Sequence, residues 1–175
     1  DNVIAKGDDF LGKAKDFINT AQDDDFGKLL MRTGMVFAQA VPSTMGTLIT
    51  SGFMKAAKEV MGKTELDTAG VAEFAKGFAN GIMERGKAKP NDRTIVDSIY
   101  PAYLAFAEAS KKSLPLPEAC KLAYEAAEKG VEATKNMMPV FGRAVYFGEK
   151  SIGRPDQGAI VGMLIYKALY TVMQK

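Results

Sequence analysis

The chain has 175 residues, of which 47% are hydrophobic and 25% charged, and these values are ordinary for a single globular domain. Its 23 basic and 21 acidic residues leave a net charge of +2, which is too balanced to favour nucleic acid or an anionic membrane as partner. Histidine is absent, so mechanisms that need an imidazole base, a histidine metal ligand or a phosphohistidine cannot be carried by these residues.

The lone cysteine and the apolar pattern also bear on the protein class. Cys120 excludes an internal disulfide, and its alanine-rich surroundings predict a small buried side chain. No apolar stretch is long enough to span a bilayer, and we expect a cytoplasmic protein. The acidic run Asp23 to Asp25 is interpreted as a solvated turn between helices, with a metal site of adjacent carboxylates as the alternative.

Apolar residues recur at helical spacing along nearly the whole chain, and no convincing period-two strand is found. In chain order, the predicted helices span residues 2–21, 26–41, 43–61, 67–85, 92–112, 117–137 and 156–174. Short turns between long helices imply antiparallel neighbours. The predicted fold class is therefore all-α, an antiparallel up-and-down helical bundle or barrel that forms one domain over residues 1–175.

Capping residues mark several of these boundaries. Ser43 and Asp67 are predicted to cap the helices that follow them, and Asn91 or Asp92 to cap the helix over 92–112. Gly62 stands where the helix over 43–61 should end. These signals support the boundaries to within a few residues.

The longest connection, residues 138–155, is the most informative segment. Residues 142–159 contain four glycines, two arginines, a lysine and a helix start near Asp156. Arginine offers paired donors to phosphate, and a helix N-terminus offers free backbone N–H groups. From these residues alone two interpretations stay open: an anion or nucleotide site, or a flexible connector with basic surface residues.

Two other helix starts carry glycine and polar residues, in segments 42–48 and 85–97. Each alone is an ordinary capped helix start or charged turn, and neither matches a Walker or Rossmann phosphate loop. However, alternate connections of an up-and-down array lie at the same end. We therefore expect these two segments and the 138–155 connection to converge at one rim.

The motifs in these segments resemble those of a known family. Residues 146–153 read YFGEKSIG; they follow Gly142, Arg143 and Ala144 and precede Asp156, Gly158 and Ala159. Residues 85–88 read RGKA and precede DRT at 92–94. Both stretches are similar to the nucleotide-binding L subunit or domain of dihydroxyacetone kinases. The resemblance implies an eight-helix antiparallel barrel with the nucleotide at one rim. Seven helices are counted here, so we expect the first helix before Asp1.

The resemblance also implies site residues. The positions that match nucleotide-contacting positions of the family are Asn2, Thr44, Met45, Gly86, Ile95, Arg143, Asp156, Gln157 and Gly158. Five positions depart from the family pattern: Pro42 and Ser43 replace two glycines, Met45 a phosphate-contacting hydroxyl, Gln157 a proline and Asn91 a glycine.

Family members hold two magnesium ions with the aspartates of a short loop. Residues 2–7 resemble the run that follows that loop, so we expect the metal-binding aspartates before Asp1. A second alignment places Val3 to Gly7 on the metal loop itself, and the domain would then be unable to bind magnesium.

The function that the resemblance implies is phosphoryl transfer to a small hydroxyketone such as dihydroxyacetone, held on a partner K subunit. The expected cofactors are ADP or ATP with Mg²⁺. The phosphoryl donor is either free ATP or a phosphotransferase-system protein (M subunit) that rephosphorylates bound ADP. No residue of this chain is assigned a catalytic role. Two alternatives remain: a degenerate nucleotide-binding or regulatory paralogue, and a structural bundle without a ligand.

Overall fold

The computed structural model describes residues 24–40 and 43–174, and these residues contain helices and turns but no strand. The α-helices are α1 (Phe26–Ala40), α2 (Thr44–Glu59), α3 (Thr68–Gly86), α4 (Val96–Lys111), α5 (Leu116–Ala133) and α6 (Gln157–Val172), with 3₁₀ helices at Thr134–Asn136 and Arg143–Ser151. The all-α prediction is confirmed. The predicted helix over 2–21 and the candidate site residue Asn2 lie outside the described residues.

Consecutive helices pack against each other from α1 to α6, and α4 also packs against α6. Because short turns join most of these neighbours, they run antiparallel in an up-and-down arrangement. Phe78, Phe106, Ile82, Ile99 and Tyr166 are fully buried between them, and burial of such side chains is the main stabilising contribution. None of the described helices is both long and apolar enough to cross a bilayer.

Glycines let two helix pairs approach closely. A Cβ added at Gly81 in α3 would lie 2.4 Å from the carbonyl oxygen of Ser51 in α2. A Cβ added at Gly130 in α5 would lie 2.0 Å from the carbonyl oxygen of Asp97 in α4. Both distances are far below van der Waals contact, so the observed helix separations require glycine at these two positions.

The caps predicted for α2 and α3 are confirmed. Ser43 Oγ accepts a hydrogen bond of 3.0 Å from the Gly46 N–H, and Asp67 Oδ1 accepts one of 2.8 Å from the Gly70 N–H. Gly62 adopts a φ of +82° just beyond α2, as expected of a glycine that follows a helix end.

The prediction for the start of α4 is wrong. The helix was expected from residue 92 with Asn91 or Asp92 as its N-cap, but it begins at Val96. Asn91 and Arg93 have φ values of +74° and +57°, which are incompatible with a helix at these residues. The Asp92 carboxylate instead accepts a hydrogen bond from the Lys89 N–H.

Two further segments differ from the sequence interpretation. The 138–155 connection contains the 3₁₀ helix Arg143–Ser151, with a kink at Gly148. In the acidic run, Asp24 is exposed, but Asp25 caps α1: its Oδ1 accepts hydrogen bonds of 2.8 Å from the Gly27 N–H and 3.1 Å from the Gly62 N–H. Asp25 therefore joins the start of α1 to the turn after α2, and Asp23 lies outside the described residues.

Candidate functional site

The turns singled out in the sequence meet at one end of the helical array, and Gly158 lies at their centre. A Cβ added at Gly158 would lie 3.1 Å from the Ile95 backbone nitrogen and 3.2 Å from the Met45 methyl carbon. At the same end, a Cβ added at Gly86 would lie 3.1 Å from a Leu48 methyl group. The expected convergence is present: the start of α6 supplies Gly158, and the 138–155 connection reaches the same end through a hydrogen bond of 3.3 Å from the Val140 N–H to the Asp92 carbonyl oxygen. We call this end, formed by residues 43–48, 86–95 and 156–158, the rim.

The N-terminus of α2 forms one side of the rim. Its cap, Ser43, is neutral and satisfies the Gly46 N–H. The backbone N–H groups at the first turn of an α-helix have no intrahelical acceptor, and they carry a partial positive charge. Thr44 is exposed here, whereas Met45 is half-buried. This side of the rim therefore suits an anion, although Met45 contributes a thioether where a hydroxyl would donate a hydrogen bond.

The N-terminus of α6 has a different character because its cap is charged. Asp156 Oδ2 accepts a hydrogen bond of 2.8 Å from the Ala159 N–H, and the Asp156 N–H donates to Thr134 Oγ1 at 2.9 Å. Burial raises the pKa of Asp156, while hydrogen bonds from Ala159 and Gly158 and the charge of Arg93 oppose that rise. A carboxylate here repels phosphate but accepts hydrogen bonds from hydroxyl or amino groups.

The turn between α3 and α4 lies between these two helix starts. Three of its non-glycine residues, Lys87, Asn91 and Arg93, have positive φ. The buried Asp97 organises the turn: Oδ1 accepts a hydrogen bond of 2.5 Å from the Asn91 N–H, and Oδ2 accepts one of 2.8 Å from the Thr94 N–H. Ile95 is 2% exposed: its backbone nitrogen lies beside Gly158 at the start of α6, and its side chain packs near Gly162 one turn further along that helix.

Of the remaining predicted site residues, Gln157 is exposed at the first position of α6, and Arg143 begins the 3₁₀ helix of the 138–155 connection. The Arg143 side chain lies outside what the structure describes, so its contact with a ligand remains a prediction.

Sequence reasoning did not identify two features of this end of the molecule. The first is an apolar surface on the connection between α5 and α6; we call it the loop patch, and its exposed residues are Met138, Val140, Phe141, Val145, Tyr146, Phe147 and Ile152. Tyr146 is 91% exposed. The run VYF at 145–147 was the available signal. The second feature is Arg93, which looked like an ordinary charge in a turn but is buried.

Of two clefts among the described residues, one lies away from the rim, and the other reaches Arg85, directly before Gly86 of the rim. One, of about 510 Å³, is at the opposite end of α1 and α2 and is lined by Asp24, Phe26, Leu29, Thr64 and Glu65. Two acidic residues and no basic residue line it, which disfavours a nucleotide there. The other lies along the groove between α2 and α3. Over the described part of the chain, no group of three His, Cys, Asp or Glu side chains is placed to hold a metal ion.

This geometry defines a class of protein: an all-α domain in which glycine-bearing helix starts lie together at one rim. The DAK2 domain matches residues 11–171. The chain therefore belongs to the DAK2 domain family.

Several characterised relatives support this membership. The chain is 33% identical, over 84% of its length and 70% of the relative's, to the PEP-dependent dihydroxyacetone kinase, ADP-binding subunit DhaL of Escherichia coli (strain K12). It is 31% identical to L-erythrulose kinase of Pectobacterium atrosepticum, over 99% of the chain but 31% of that protein. It is also 31% identical to triokinase/FMN cyclase of Mus musculus, over 84% of the chain and 25% of that protein. The chain thus spans less than a third of the latter two relatives.

Proposed function

We propose that this chain binds ADP or ATP at the rim and serves as the nucleotide-binding part of a kinase that phosphorylates a small hydroxyketone. One observation carries the proposal: the Ile95 nitrogen and the Met45 methyl group lie beside Gly158, at 3.1 Å and 3.2 Å from the position that a Gly158 Cβ would take. Because a side chain at Gly158 would press against Asp156, Ile95 and Met45, glycine lets the starts of α2 and α6 and the turn before α4 pack together at this rim. The names of the relatives, an ADP-binding subunit of a dihydroxyacetone kinase, an erythrulose kinase and a triokinase, support the same function.

The charges at the rim orient the nucleotide in this proposal. The phosphates lie against the N-terminus of α2, where the Ser43 cap is neutral and the helix dipole favours negative charge. The nucleoside lies towards α6, where the Asp156 carboxylate accepts hydrogen bonds from ribose or adenine donors. The reverse orientation would place phosphate beside a carboxylate, which is electrostatically unfavourable.

The described acidic residues near the rim do not fit a magnesium site. The Asp97 and Asp156 carboxylates each accept two backbone hydrogen bonds, and Asp92 accepts one. These carboxylates bond to backbone N–H groups of turns and helix starts, and none of the described acidic groups forms a cluster able to hold a metal ion. Magnesium therefore stays a prediction of the family resemblance, which assigns it to aspartates expected before Asp1.

The loop patch supports a partner subunit that docks on the rim. Seven large apolar residues are exposed on one connection, and such concentrations on a protein surface mark interaction sites. The partner proposed here is the K subunit that holds the hydroxyketone, because docking over the rim would bring acceptor and nucleotide together and exclude water. The double variant Tyr146→Ser, Phe147→Ser should weaken association with that subunit but leave ADP affinity unchanged. Leu104→Ser, on the exposed face of α4, is the matched control.

Nucleotide binding is tested by thermal unfolding and calorimetry with ADP and ATP. Ligand at a hundred times its Kd stabilises the native state by about 2.7 kcal/mol, which for a domain of this size raises Tm by roughly 5–10 °C. No rise with either nucleotide, with or without magnesium, would refute the proposal. Turnover is then measured with the K subunit and dihydroxyacetone, using ATP or the phosphorylated phosphotransferase-system protein as donor, so that the two donors are distinguished.

The thioether of Met45 favours a second candidate, a nucleotide-binding regulator without turnover. Met45 lies at the phosphate side of the rim and cannot donate a hydrogen bond. ADP binding without turnover by the wild type, and turnover by Met45→Ser with the K subunit, would support this candidate. Turnover by the wild type would exclude it.

A further inference from the structure

Arg93 makes an unusual set of contacts for a residue in a surface turn. It is 3% exposed and has a φ of +57°, a left-handed backbone conformation that residues other than glycine rarely adopt. Its guanidinium donates hydrogen bonds to the carbonyl oxygens of Met137 at 3.3 Å, Ser151 at 2.6 Å and Arg154 at 2.9 Å, and a further bond to Ser151 Oγ. All four acceptors belong to the connection between α5 and α6.

These contacts join the two ends of that connection. Met137 precedes the loop patch, Ser151 is the last residue of the 3₁₀ helix that Arg143 begins, and Arg154 follows that helix. One guanidinium therefore closes the segment 138–150 into a loop. A neighbouring backbone hydrogen bond of 3.3 Å, from the Val140 N–H to the Asp92 carbonyl oxygen, attaches the same loop to the same turn.

The buried charge of Arg93 is satisfied by neutral carbonyl groups. Among the described residues, no carboxylate forms an ion pair with it, and its Nε has no hydrogen-bond partner. The Asp156 carboxylate is near enough for the charge of Arg93 to oppose the rise in its pKa, but the two groups form no ion pair, so the buried guanidinium depends mainly on its hydrogen bonds. An aliphatic side chain would leave the carbonyl oxygens of Met137, Ser151 and Arg154 without this donor, so these hydrogen bonds, rather than an ion pair, account for Arg93.

We propose that Arg93 is a positioning residue that holds the 138–150 loop against the rim. Its turn continues directly into Ile95, whose nitrogen lies beside Gly158, so the same turn carries both the loop anchor and the rim backbone. Holding the loop in advance reduces the entropy lost when a ligand binds. The consequence for nucleotide affinity rests on the proposed function, whereas the loop anchor itself does not.

The planar guanidinium suits this task better than an ammonium group would. It presents several donors in fixed directions, and here they reach carbonyl groups from three residues at once. Lysine would keep the charge but offers one point of attachment. Arg93→Lys should therefore retain only part of the anchoring, and Arg93→Met should lose it.

The rate of cleavage by chymotrypsin reports how firmly the loop is held, because Tyr146 and Phe147 are exposed cleavage sites within it. Without nucleotide, cleavage at these sites should rise about tenfold or more in Arg93→Met, as expected for the loss of a charge-assisted hydrogen bond worth at least about 1.4 kcal/mol, and less in Arg93→Lys. Arg154→Met is the control, since the residue is exposed and only its carbonyl group contacts Arg93. Far-UV circular dichroism confirms that each variant is folded.

Calorimetry with ADP, at a temperature where every variant is folded, then distinguishes a role of Arg93 in ligand binding from a role in stability alone. The Kd should rise about tenfold in Arg93→Met, a loss that corresponds to about 1.4 kcal/mol, partly recover in Arg93→Lys and stay unchanged in Arg154→Met. If Arg93→Met does not fold, Ser151→Ala, which removes one acceptor, should show a smaller change in the same direction. Equal cleavage rates in all variants would overturn the proposal, as would faster cleavage with unchanged ADP affinity. If the wild type binds no nucleotide but Arg93→Met is still cleaved faster, the role of Arg93 as loop anchor stands and the proposed function is refuted.

Discussion

Among the glycines that the structure describes, Gly130 is the one where an added methyl group should reduce stability most. It lies where α5 crosses the start of α4, and a Cβ there would be 2.0 Å from the Asp97 carbonyl oxygen and 3.2 Å from the Ser98 Cα. Ordinary contact begins near 3.4 Å, and backbone atoms cannot rotate away, so the two helices must separate. Overpacking of this kind costs about 1–3 kcal/mol or more, and alanine's better helix propensity returns at most about 1 kcal/mol.

We therefore expect Gly130→Ala to lose about 2 kcal/mol of unfolding free energy, and Tm to fall by roughly 4–8 °C. Urea unfolding followed by circular dichroism gives the stability. Nucleotide affinity should fall as well, because displacement of Asp97 disturbs the backbone of Asn91 and Thr94. Gly34→Ala is the matched control: its Cβ would meet Phe53 Cβ at an ordinary 3.4 Å, so its stability should be unchanged or higher. A Gly130→Ala protein with the urea midpoint of the wild type would refute this reasoning.

Three further outcomes are expected. Gly158→Ala should weaken ADP binding about tenfold in calorimetry, because its Cβ would lie 2.9 Å from Asp156 Oδ2 and fill the centre of the rim; unchanged affinity would argue against a ligand there. Asp25→Ala should lower Tm at neutral pH. Partial burial acts to raise the pKa of Asp25, but hydrogen bonds from the Lys28, Gly62 and Gly27 N–H groups hold this pKa below its ordinary value. A lowered pKa stabilises the fold at pH values above the ordinary aspartate pKa, and this stabilisation is lost as pH falls through the lowered value. The difference in Tm between wild type and Asp25→Ala should therefore become smaller in acid. A Tm difference that does not depend on pH would contradict this. Burial raises the pKa of Cys120 to about 11, so a thiol reagent at pH 8 should react only after unfolding; rapid labelling of the native protein would show that the thiol is accessible.

Much of the helical architecture could be predicted because its signals are local. The apolar spacing and the caps at Ser43 and Asp67 involve residues three or four positions apart, and such periodicity can be read directly from a sequence. The meeting of the three turns also followed from up-and-down connectivity, since alternate connections lie at one end.

The start of α4 shows where local reasoning fails. Asp92 has the residue type of an N-cap, yet the carboxylate that organises this turn is that of Asp97, which contacts backbone groups three and six residues earlier. Left-handed conformations at Asn91 and Arg93 then delay the helix. Nothing in the spacing distinguishes these two uses of an aspartate.

The role of Arg93 could not be predicted because its acceptors lie 44 to 61 residues further along the chain. In sequence, Arg93 differs little from exposed basic residues such as Lys87 or Lys89 nearby. Only the packed structure shows that its charge is buried and that its donors face another connection.

An NMR titration of the ¹⁵N-labelled protein with ADP tests the central claim most directly. Saturable shifts should appear at the amides of Gly46, Gly86, Ile95 and Gly158, while Gly62, at the far end of α2, stays unchanged. Shifts centred on Gly62 and the cleft beside Phe26, or no saturable shifts at all, would contradict nucleotide binding at this rim.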